Sequence, residues 1–182
     1  MTLPPISTLH LRGIEREIAL DWRAVPHLPP PRLRALPHMP LQDLVSLQYC
    51  EESPPSREEV VSVLRPILAN LGDAVLPGML MALADAHGIR RPSLVRMCLP
   101  RTQWASRSTS GAIHCSVLLL FLPKALLEHV LLHELCHTEF MDHSPAFHAR
   151  LERADPKASI HAAALRHAER DYVPFWFREE TE

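Results

Sequence analysis

The chain has 182 residues, 47% hydrophobic and 22% charged, which is enough for one domain with a substantial core but a squeeze for two. A formal net charge of -2 offers no broad basic field for nucleic acid or an acidic membrane surface, so neither is an expected partner. Cys50, Cys98, Cys115 and Cys136 form no C-x-x-C pair, which excludes a zinc ribbon and a thioredoxin-like redox site and reads as reduced thiols in a soluble, cytoplasmic protein.

The opening "MTLPPISTLHLRGIEREIALDW" has no basic segment followed by an apolar one, so no secretory signal is expected. Ten of the eighteen prolines precede Ser56, densest in "HLPPPRLRALPHMP". Repeated proline fixes φ and removes amide donors, so residues 1–55 are expected to form an extended or polyproline-like strap over the domain, with partner docking as the alternative. Ser56, followed by early glutamates, starts a helical region that runs to His87-Gly88, and Pro66 and Pro77 are expected to kink or split it. "SLVRMCL" leans towards a strand. "RTQWASR", the turn "STSG" and the buried run "AIHCSVLLLFL" read as a hairpin of 101–106 with 112–120.

Pro123 suits the first turn of a helix, and "PKALLEHVLLHELCHTEFM" is expected to continue for about five turns. A break at Asp142-His143 follows. Ser144 then caps a second helix with Pro145 at its first position and an apolar stripe of Phe147, Leu151 and Ala154. The tail "DYVPFWFREETE" either docks on the domain or offers its aromatics to a partner. The expected divisions are an extension over 1–55, a domain over 56–170 and a tail over 171–182.

The first of those two helices carries "HELCH", a match to H-E-x-x-H. Helical residues four apart stack about 6 Å apart, so His133 and His137 can reach one ion about 2.0–2.1 Å from each nitrogen. Glu134 can stand beside that ion and take a proton from water that the ion polarises. A catalytic zinc site needs a third protein ligand and an open position. His143, six residues past His137 at the break, is the foremost candidate, and His148, Glu152 or no third ligand remain open. His129 begins an i, i+4, i+8 stripe, but rings two turns apart sit about 12 Å from each other along the axis, so it reads as a residue behind the ligands. Cys136 reads as packing.

These features resemble the YgjP-like and SprT-like minimal zincin metallopeptidases over about Asp73 to Pro156. The shared elements are "LADAHGI" before a strand, the tryptophan-containing strand "RTQWASRSTSGAI", a strand ending in proline, and "HVLLHELCHTEFMDHSPAFHARL". The resemblance implies an α+β zincin-like domain with a small sheet beside the H-E-x-x-H helix and Zn2+ held by His133, His137 and His143. It also implies Glu134 as general base and a peptide or protein as substrate. A metzincin would need glycine at Phe140. The chain departs from the family's W-G-S-C pattern at Trp104, Ala105, Ser106 and Arg107, and Ser116 stands where an asparagine is usual. Two other functions compete: hydrolysis of a nucleotide phosphoanhydride, and an inactive metal-binding interaction module. No glycine-rich phosphate cradle supports the first. For a tetrahedral intermediate, Arg101, Arg107, His114 and His129 are the candidate stabilisers. Residues 112–120 are the strand expected to pair with an extended substrate.

Overall fold

The computed structural model describes residues 7–37, 39, 41–98, 104–108 and 110–178, with the side chain of Cys98 excepted. The proline-rich segment is not a strap. It holds β1 (Thr8–Leu11), β2 (Arg16–Val25), β3 (Leu33–Ala35) and β4 (Leu44–Cys50), joined in the order β1-β2-β4-β3. Its middle pair, β2 and β4, is parallel, and both outer pairs are antiparallel. The physical reason lies in a period of two: Ile18 and Leu20 on β2 and Val45 and Leu47 on β4 face inward between more exposed neighbours. Among the described residues of this segment, the prolines fall in the connections, where a missing amide breaks no ladder bond.

Then comes α1 (Arg57–His87). Ser56 Oγ accepts from Glu59 N and the Glu59 carboxylate accepts from Ser56 N, a full capping box, and Gly88 closes the far end at φ 59°. Pro66 and Pro77 do not split it; one helix runs through both. Each proline removes one helical hydrogen bond. Burial of Val60, Leu64, Leu68, Leu71, Leu76, Leu80 and Ala84 along the whole length outweighs that loss. By length and composition α1 is also apolar enough to cross a membrane, but here its buried face packs into the core.

A second sheet contains β5 (Leu94–Cys98), β6 (Ala105–Arg107) and β7 (Ala112–Ser116) in the order β5-β7-β6, with β5 parallel and β6 antiparallel to the central β7. Of the hairpin expected for 101–106 with 112–120, residues 101–103 lie outside the described residues, β6 pairs with β7 from Ala105 to Arg107, and the second strand stops at Ser116. From Val117 to Phe121 the run forms a 3-10 helix, with Ser116 Oγ accepting from Leu118 N. A continuous apolar run has no periodicity to separate strand from buried helix, and here both halves are buried.

Three helices complete the chain: α2 (Lys124–Cys136), α3 (Pro145–Ala154) and α4 (Ala158–Tyr172). α2 packs against α1, α3, α4 and β6. One cluster of buried side chains joins both sheets and all four helices, so residues 8–50 share the core of the remainder. The described part of the tail, to residue 178, docks: Trp176 and Phe177 are buried, the Phe177 ring lies 5.3 Å from that of Phe121, and Arg57 Nε donates to Trp176 O.

Candidate metal centre

α2 supplies His133 and Glu134, then ends at Cys136, well short of five turns. His137 is the C-cap, still in right-handed helical conformation at φ -65°. The amides of Thr138, Glu139 and Phe140 bond back to Leu135 and Cys136 carbonyls, so the chain tightens and reverses directly after the second histidine. It returns through His143 to Ser144, whose Oγ accepts from Phe147 N at the start of α3, with Pro145 in the first turn. The early end lets His143 reach the other two.

The His133 Nε2 lies 3.2 Å from His137 Nε2 and 3.1 Å from His143 Nε2. Three nitrogens about 2.0–2.1 Å from one tetrahedral ion would be about 3.3–3.4 Å apart. The His137 Nδ1–H donates to Phe140 O at 2.9 Å, which leaves its Nε2 with a lone pair. Burial and then the neighbouring imidazoles lower His133 to about 4, and burial also lowers His137 against the opposing Phe140 hydrogen bond. Neutral, convergent lone pairs repel unless a cation or proton sits between them, so the donor set fits a divalent metal.

Beneath these rings lies Phe147, fully buried, its centroid 4.9 Å from His133, 4.6 Å from His137 and 4.9 Å from His143. It is the floor against which all three imidazoles are set. The sequence marked it as part of an apolar stripe, without its place under the three rings.

The imidazoles open on a cavity of about 530 Å³, walled by Trp104 to Arg107 on the β6 side and by His129, Val130, Glu134, Met141 and Leu165 elsewhere. Burial pushes the Glu134 carboxyl up to about 7, with the Arg107 charge acting in the opposite direction. A cation beside it would favour the carboxylate, the form that accepts a proton. Among the described residues, Arg107 Nε is buried without a hydrogen-bond partner, while its Nη1 meets Met141 Sδ at 3.0 Å.

Other candidates stand apart. His148 and Glu152 are exposed on α3, whereas it is the His143 nitrogen that lies beside those of His133 and His137. Burial raises the Cys136 thiol to about 11, as befits a packing residue. His114 does not line the cavity, and Arg101 lies outside the described residues. The strand expected to meet substrate also changes. β7 is paired on both sides, so among the described residues the free edge facing α2 belongs to β6. His129 is buried against Asp155 and His161 of the α3–α4 region. Asp155 and His161 carried no signal in the sequence, because neither belongs to a motif and the contact spans 26 positions.

A small sheet flanking a helix that carries H-E-x-x-H, with a third histidine returned by a turn, defines a zincin-like metallopeptidase fold. The family described as YgjP-like, metallopeptidase domain, matches residues 39–168, and the chain belongs to it. That match begins within the proline-rich segment, in agreement with β4 being part of the fold. No curated protein and no solved structure matches the chain.

Proposed function

We propose that this chain is a zinc-dependent peptidase, with His133, His137 and His143 as ligands and Glu134 as general base. The convergence of three imidazole nitrogens at 3.1–3.2 Å beside a buried carboxylate carries the reading. Neutral imidazoles are good zinc ligands, and three of them leave the fourth tetrahedral position open. Zinc bound there would supply Lewis acidity that polarises a carbonyl and acidifies water. The chain's own residues do the rest. Phe147 holds the imidazole set, and Glu134 accepts the proton from the attacking water and returns it to the leaving amine. β6 offers its free edge to an extended peptide, and Arg107 places positive charge on the cavity wall.

Metal analysis together with Glu134→Gln and His143→Ala tests this reading. The purified protein should carry one zinc per chain. Glu134→Gln should keep the zinc and lose turnover of a mixed quenched-fluorescence peptide library, and His143→Ala should lose zinc affinity. Zinc without any turnover that Glu134→Gln removes would favour a metal-binding interaction module instead, and phosphate release from nucleotides would redirect the substrate class.

A further inference from the structure

Behind the three ligands a second group of ionisable side chains is drawn together. His129 Nδ1 lies 2.6 Å from Asp155 Oδ2, and His161 Nδ1 lies 2.8 Å from the same oxygen. Asp155 Oδ1 accepts from Lys157 N at 3.0 Å, so both carboxylate oxygens are engaged. His129 and Asp155 are buried, at 4% and 8% exposure. Although this trio has metal-ligating residue types, its spacing is that of hydrogen bonds. Ligands sharing an ion sit about 3 Å or more apart, as the nitrogens at His133, His137 and His143 do, whereas 2.6 and 2.8 Å are N–H···O distances.

A carboxylate can only accept, so Asp155 receives Nδ1–H from both rings and fixes the His129 tautomer and orientation. His129 lines the cavity beside Val130 and Glu134, and with Nδ1 engaged by Asp155 the ring nitrogen left to meet a ligand is Nε2. Among the described residues, the hydrogen bond that His129 makes runs through Nδ1. A tie between α2 and the α3–α4 junction would need only Nδ1.

We propose that His129 contacts the substrate through Nε2, accepting a backbone N–H of a peptide held in the cavity, and that Asp155 is the positioning residue that orients it. The turnover part of this proposal rests on the peptidase reading, while the tautomer and binding parts do not.

Two substitutions separate the contact from the tie. His129→Asn keeps a donor near the Nδ1 position for Asp155 and removes the cavity-facing nitrogen. Asp155→Asn keeps the ring and removes the charged acceptor. Nitrogen-detected NMR of the metal-free protein should show His129 protonated at Nδ1 and bare at Nε2, and Asp155→Asn should abolish that preference. On zinc-loaded protein, His129→Asn should weaken binding of a dipeptide hydroxamate about ten-fold or more. Zinc affinity and melting temperature should stay at wild-type values. If the library is turned over, kcat/KM should fall in parallel, and if wild type turns over nothing, the peptidase reading fails while the NMR and hydroxamate results still decide the role of His129. An Nε2-protonated ring, or wild-type hydroxamate affinity in His129→Asn, would overturn the proposal. So would a second equivalent of zinc that His161→Ala removes.

Discussion

Glu134→Gln has a consequence for stability that is independent of turnover. In the metal-free protein burial moves the Glu134 carboxyl from an ordinary 4.5 to about 7, at 7% exposure. Between those values the folded chain holds a proton that the unfolded chain has released, so folding stability falls as pH rises through the window. Each tenfold change in proton affinity between the two states corresponds to about 1.36 kcal/mol, so the full penalty above the window approaches about 3 kcal/mol. Glutamine cannot ionise and does not incur it. His133 works in the opposite direction. Its fall from 6.5 to about 4 makes stability rise with pH between those values, but wild type and variant share that contribution and it cancels in their difference. Urea unfolding with a chelator present, from about pH 4.5 to about pH 8, measures the difference. Glu134→Gln should match wild type at the acid end and exceed it by up to about 3 kcal/mol at the alkaline end. A difference that does not vary with pH, or a more stable wild type at the alkaline end, would refute the burial argument.

Phe147→Ala should cost about 3–5 kcal/mol in denaturant unfolding. It should also weaken zinc binding about 10- to 100-fold in competition with a chelating dye, because the floor under three imidazoles is lost. Arg107→Met should raise the Glu134 pKa further in the metal-free protein, since the arginine charge lowers it; carbon-detected NMR of the carboxyl reads the direction. Gly13→Ala should destabilise by about 1–3 kcal/mol in thermal unfolding. A Cβ there would lie 2.6 Å from Leu127 Cδ1 and 3.0 Å from the Leu119 carbonyl oxygen, and backbone cannot retreat as a flexible side chain can.

Local chemistry alone wrote much of this protein. The capping box at Ser56, the stop at Gly88, the Ser144-Pro145 start of α3 and the four-residue spacing of His133 and His137 are all decided within a few positions, and each is present in the fold. The same local logic failed where a competing signal masked the pattern. Proline density hid the alternation of Ile18 and Leu20, and two prolines suggested a break in a helix that its buried face keeps whole. Only the tertiary structure ended α2 at Cys136, set Phe147 under the three rings, left β6 as the free edge and brought Asp155 to His129 across 26 positions. Spacing along one helix is carried by the chain itself, whereas contacts between distant segments exist only once the core has packed them together.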